Sequence, residues 1–115
     1  MTTHAMDQAV VLLPDGDLCE GAACDELERE LLALAEQGRQ VIVDLGATRI
    51  LTAHCLGVLA RAQRLAVAAG GSVALCGAAG TQRWLLGVTH LAEALPVYAS
   101  LAEALAGVGS RAAVA

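Results

Sequence analysis

The sequence predicts an α/β fold. It is a single domain with a four- or five-stranded, mainly parallel or mixed sheet and about four helices packed mainly on one face. Three observations lead there. Apolar runs of strand length alternate along the chain with helical repeats, the order produced by strand–crossover–strand units. Those runs are continuous in apolar residues rather than alternating, as expected of strands covered on both faces. The length of 115 residues allows one core and not two.

The elements follow in order. "AVVLL" at 9–13 is a short apolar run closed by the turn signal "PDGD". A strand-like "LCEG" comes next, and then a helix from about Asp25 to Gln37. Its Leu27, Leu31 and Leu34 recur on one face, its acids lie elsewhere, and Gly38 stands where it stops. "QVIVDL" at 40–45 is a buried strand, and "GATRIL" reads as a loop. A second helix, about Thr52 to Ala69, presents Leu56, Leu59, Gln63 and Ala66 on one face, with Arg61 and Arg64 off it. The pair Gly70–Gly71 ends it. "SVALC" is another buried strand, followed by a loop and short helix, the short strand "LPVYAS", and a closing helix "LAEALAG". The domain is expected over 9–107, with 1–8 flexible and 108–115 a mobile tail.

Composition excludes several function classes. Hydrophobic residues make up 57% of the chain but aromatic ones only 2%, so little ring surface exists to stack bases or sugars. The net charge is −5, with −7 concentrated between Asp15 and Glu36 and +3 spread from Gln37 onward. Nucleic acid is not an expected partner, because phosphate binding needs a concentrated basic surface. The acidic stretch reads as the solvated face of a helix. The first 28 residues hold neither Arg nor Lys, so no secretory signal is read there, and no run spans a membrane. A cytoplasmic protein with reduced thiols is expected.

In a mainly parallel sheet the loops after the strands gather on one edge. That edge should hold Leu18–Glu20, Gly46–Cys55 and Cys76–Gly80, so residues distant in sequence become neighbours. The stretch "LTAHCLG" at 51–57 lies there. Thr52 suits a helix N-cap. His54 and Cys55 would open the helix, in a first turn whose unpaired N–H groups favour negative charge. Neighbouring helical side chains diverge by about 100°, so a Cys–His nucleophile pair is poorly served. No oxyanion-hole signature or orienting acid accompanies it, and no enzyme is expected. Cys19 and Cys55 are a possible redox pair, while Cys76, ending an apolar strand, suits the core. No Cys-x-x-Cys spacing supports a metal site from Cys19, His54, Cys55 and Cys76, and no cofactor is expected. Trp84 suits either packing beneath its helix or an exposed anchor, packing being preferred.

Asp44-Leu45, Leu56-Gly57-Val58-Leu59, Gly70-Gly71, Leu95-Pro96-Val97-Tyr98 and the closing Leu/Glu/Ala helix stand in an order that resembles the STAS domain, the fold of anti-sigma factor antagonists. Upstream, "DGDLC" looks like that family's Gly-x-Leu-Asp segment. The resemblance implies a non-enzymatic interaction module that binds an anti-sigma factor, commonly an ATPase-type serine kinase. It also implies a switch in which phosphorylation of the second Ser of an Asp-Ser-Ser-Gly loop blocks binding, by adding charge at a helix start inside a contact surface. This sequence departs there: Thr52, Ala53, His54 and Cys55 take those four places, and Cys19 takes the upstream Asp. His54 therefore stands for the acceptor, with Thr52 or Thr48 as possible displaced acceptors. The expected partner contacts are Arg49, Thr52, His54, Cys55, Arg61 and Arg64. A subunit of a transport or stress-signalling assembly, a thiol-redox-regulated variant and a homodimer remain open.

Overall fold

The computed structural model describes residues 2–6, 9–14, 16–18, 22–88 and 95–114. Seven strands and four helices lie among them: β1 (Thr2–Met6), β2 (Ala9–Leu13), β3 (Gly16–Leu18), α1 (Ala22–Glu36), β4 (Gln40–Asp44), β5 (Thr48–Leu51), α2 (Ala53–Ala68), β6 (Ser72–Cys76), α3 (Gly80–Val88), β7 (Val97–Tyr98) and α4 (Leu101–Val114). The main sheet has the order β1-β2-β4-β6-β7, and β3 pairs with β5 in a separate two-stranded ladder. Only β1 runs antiparallel to its neighbour; β2, β4, β6 and β7 are parallel.

The continuous apolar runs behave as the physics of a two-faced sheet requires. Successive strand residues point to opposite faces. Val10, Leu12, Val41, Val43, Val73 and Leu75 accordingly join a core with Leu27 and Leu31 of α1, Leu56 and Leu59 of α2, and Leu86 of α3. Ala9, Val11, Ile42 and Cys76 meet Ala104 of α4 on the opposite face, with Leu101, Leu105 and Tyr98 beside them. Among the described residues, three helices thus cover one face and one covers the other. Leu56 and Leu59 are fully buried, and burying each such side chain contributes roughly 1.5–3 kcal/mol.

Caps fix where the helices begin. Ser100 Oγ accepts from Glu103 N–H at 3.2 Å, and Glu103 Oε2 accepts from Ala99 N–H at 3.2 Å, a reciprocal arrangement that starts α4. Gly38 follows α1 at φ 70°, which suits a residue without Cβ.

Four boundaries differ from expectation. Residues 2–6 pair as an edge strand; its residues 3–5 are exposed, and their polar make-up hid it from a search for apolar runs. α4 continues past 107 through Val114, where alanines of high helix propensity offset two glycines. Part of "GATRIL" is strand β5, too short to show a period and held by β3. α1 begins at Ala22, which brings Cys24 into its first turn.

Candidate functional site

The ends of β4 and β6 are tied together. Leu45 N–H donates to Cys76 C=O at 2.8 Å, and Thr48 N–H donates to Leu45 C=O at 3.0 Å. Asp44 Oδ1 accepts from Gly46 N–H at 2.9 Å and folds the turn back on itself. Gly77 sits against that turn at φ 73°, where a Cβ would come within 2.7 Å of Asp44 Oδ1. Glycine answers both demands: the left-handed backbone and the close approach. The adjacent Cys76 is fully buried, and burial, helped by the Asp44 carboxylate, pushes its thiol up to about 12.

A second set of bonds carries this edge into α2 and α3. Thr48 Oγ1 donates to Pro14 C=O at 2.8 Å, and Gln82 Nε2 donates to Thr48 C=O at 2.8 Å. Gln82 Oε1 accepts from Ala79 N–H at 2.8 Å, just ahead of α3. β3 and β5 lie in parallel register, Leu18 opposite Leu51. The described parts of the three predicted segments therefore do converge. Thr52 then caps α2, its Oγ1 accepting from Cys55 N–H at 3.3 Å.

α2 turns its residues to two sides, with Val67 near its end, 58% exposed, the exception. Cys55, Leu56, Val58, Leu59, Ala60, Ala62, Gln63 and Ala66 are buried. Gln63 Oε1 accepts from Val73 N–H and fastens the helix to β6. His54, Gly57, Arg61, Arg64, Leu65 and Ala68 are exposed. At 100° per residue these six fall on one side, a stripe about 20 Å long. A Cβ built on Gly57 meets nothing within 4 Å, so the middle of the stripe is open. Arg61 forms an ion pair with Glu28 of α1, at the flank of the stripe. The acids of α1 are otherwise at the surface: Asp25, Glu26, Glu30 and Glu36 are exposed.

The predicted contact residues separate accordingly. His54, Arg61 and Arg64 share the exposed stripe, and Thr52 is half-buried at its head. Cys55 does not belong to it. Turned inward by its phase on the helix, it is fully buried, with its Sγ 2.8 Å from Cys24 Sγ. Arg49 lies in β5, and its side chain is outside the described residues. Cys19 lies outside them too, and with it the proposed Cys19–Cys55 pair. The Thr48 hydroxyl is buried and engaged with Pro14. Trp84 is 66% exposed instead of packed beneath α3.

Two features escaped sequence reasoning. Gly57 and Leu65 complete the exposed stripe, which the phase of α2 already implied. Cys24 lies one turn before Leu27 on the buried side of α1, a spacing that extends the Leu27/Leu31 pattern backward. Burial, reinforced by the Cys55 contact, pushes the Cys24 thiol up to about 12. Among the described residues no three His, Cys, Asp or Glu side chains gather as a metal site would require, and no helix is long and apolar enough to cross a membrane.

The STAS domain family model matches residues 1–104. An anti-sigma factor antagonist from Mycobacterium paratuberculosis superposes with a TM-score of 0.81 at 21% identity, over 93% of this chain and 91% of that one. The Bacillus cell fate determinant SpoIIAA in its phosphorylated form gives 0.71 at 18%, over 93% and 97%. A sulfate transporter family protein from Wolinella succinogenes gives 0.74 at 17%, over 91% and 88%. At such identities the likeness is one of fold. No curated protein matches the chain.

Proposed function

Given that this chain belongs to the STAS domain family, we propose that it is a non-enzymatic interaction module of the anti-sigma factor antagonist kind. It docks an anti-sigma factor of the ATPase-type serine kinase class through the start and outer side of α2. The observation that carries this is the exposed stripe of His54, Gly57, Arg61, Arg64 and Leu65 beginning at a capped helix start. The stripe combines an apolar contact, two guanidinium groups able to meet partner carboxylates, and an uncrowded glycine that lets another backbone approach.

His54 stands in the place where the resemblance puts the phosphoacceptor Ser, in the first turn and exposed. An imidazole there leaves no hydroxyl for the usual transfer. The nearby hydroxyls have structural work: Thr52 caps α2 and Thr48 bonds Pro14. Binding is thus proposed to proceed without the usual phosphate switch.

Titration against a purified ATPase-type anti-sigma kinase tests the docking. Arg64→Glu and His54→Asp, both exposed, should each weaken binding about 10-fold or more while leaving the fold intact, as for a residue contributing over about 1.4 kcal/mol. Unchanged affinity in both variants rules the surface out. Binding to the cytosolic part of a transporter in place of the kinase assigns the chain to a transport assembly. Incubation with kinase and ATP should leave the protein mass unchanged; a phosphate on Thr52 or Thr48 overturns the absent switch.

A further inference from the structure

We propose that Cys24 and Cys55 are a thiol pair that closes reversibly into a disulfide, stapling the first turn of α1 to the first turn of α2.

The geometry comes from two helices whose starts meet. Cys24 is the third residue of α1, and Cys55 is the third residue of α2. They lie 31 positions apart in the chain, yet their Sγ atoms are 2.8 Å apart, and both side chains are in the same core cluster. A disulfide bond is ~2.05 Å long, so closing it asks for less than about 1 Å of sulfur movement. The contact is held in place from outside: the Thr52 cap fixes the first turn of α2, and the Glu28–Arg61 ion pair crosses between the same two helices further along.

The placement also determines how the bond forms. Both thiols are buried, Cys24 at 2% exposure and Cys55 at 0%, so reaction waits on opening of a helix end. First turns are where helices fray, and such local opening costs less than unfolding. In the opened form one cysteine loses its proton to water and attacks a sulfur of a low-molecular-weight disulfide. One small thiolate leaves and takes up a proton. The second cysteine, likewise deprotonated, then attacks the protein sulfur and expels the other small thiol. The protein gives up two electrons and two protons, and the small disulfide becomes two thiols. Reclosure of the helix end brings the two cysteines together and so favours the second step over release of the first adduct.

Any effect of this bond on docking rests on α2 being the docking helix. The bond itself does not, so the two proposals fail separately.

The test is incubation of the native full chain with glutathione disulfide, followed by thiol blocking and digestion with trypsin and a Glu-specific protease. Those cuts separate Cys19, in the segment before Glu20, from Cys24 in "GAACDE" (21–26) and from Cys55 in "ILTAHCLGVLAR" (50–61). The expected product is the 21–26 peptide joined to the 50–61 peptide, lighter by two hydrogens than the sum and separated by dithiothreitol. Cys24→Ser and Cys55→Ser should abolish it, while Cys19→Ser and Cys76→Ser leave it. The oxidised protein should also melt several degrees higher than the reduced one. Peptide mapping of the unmutated chain decides the matter even if a variant fails to fold. A link from 50–61 to the Cys19 peptide overturns the proposal, as does a link seen only in urea or none at all.

Discussion

Gln82 Nε2 donates to the backbone carbonyl of Thr48 at 2.8 Å, joining residues 34 positions apart and binding α3 to β5, the strand that leads into α2. The same side chain accepts from Ala79 N–H, the return bond made by a Gln at the third position of a helix. One buried amide therefore holds the start of α3 and the backbone of the candidate docking edge at once.

Gln82→Leu keeps the volume and removes both bonds, leaving the Thr48 carbonyl without its donor. It should cost about 1–3 kcal/mol of unfolding free energy in urea titration. Gln82→Glu keeps the acceptor for Ala79 N–H but turns a second oxygen toward the Thr48 carbonyl, and should cost at least as much near neutral pH. If either variant matches the parent within about 0.5 kcal/mol, the scatter of neutral surface changes, the amide is not holding the edge.

How much of this edge was legible in sequence depended on the kind of signal each part carries. Continuous apolar runs located β2, β4 and β6, and apolar periodicity located α1 and α2, because burial marks every residue of a strand covered on both faces and one residue per turn of a helix. The cap at Thr52 was legible because an N-cap needs a particular side chain. Convergence of the loops followed from parallel topology alone. The bonds of Gln82 were not legible: a lone Gln in "GTQRW" looks like any polar helix residue, and its partner is remote. Cys24 was missed for a related reason. A small thiol weighs little in a hydrophobic pattern, so that pattern starts α1 about one turn late. β3 and β5 support each other across 30-odd residues, and neither has enough length to show a period.

Gly57 offers a separation of stability from docking. It is exposed in the middle of α2, and a Cβ there meets nothing within 4 Å. Gly in a helix interior is less stable than Ala by roughly 0.5–1 kcal/mol. Gly57→Ala should therefore raise the unfolding free energy by about that amount. Gly57→Arg, which also replaces a helix-interior Gly by a good helix former, should raise stability by a similar amount while weakening partner binding, because its bulk stands in the centre of the stripe. Thermal denaturation together with binding titration checks both, and full affinity in Gly57→Arg moves the docking surface elsewhere.

The thiols make a prediction about alkaline pH. Cys24 and Cys76 are each pushed up to about 12 from an ordinary 9.0, chiefly by burial. A cysteine is neutral when protonated, so below pH 9 folded and unfolded chains both keep these protons and no dependence arises. Between about 9 and 12 the unfolded chain releases protons that the folded chain retains. The unfolded state then binds fewer protons, and stability falls as pH rises. Each thiol contributes a slope of up to about 1.4 kcal/mol per pH unit in that window. Urea midpoints at pH 8, 9.5 and 10.5 should decline between the last two more than between the first two. Cys76→Val, which removes a titrating group from the apolar face under α4, should flatten the decline by about half. A midpoint independent of pH through this range means the buried thiols lose their protons as readily folded as unfolded.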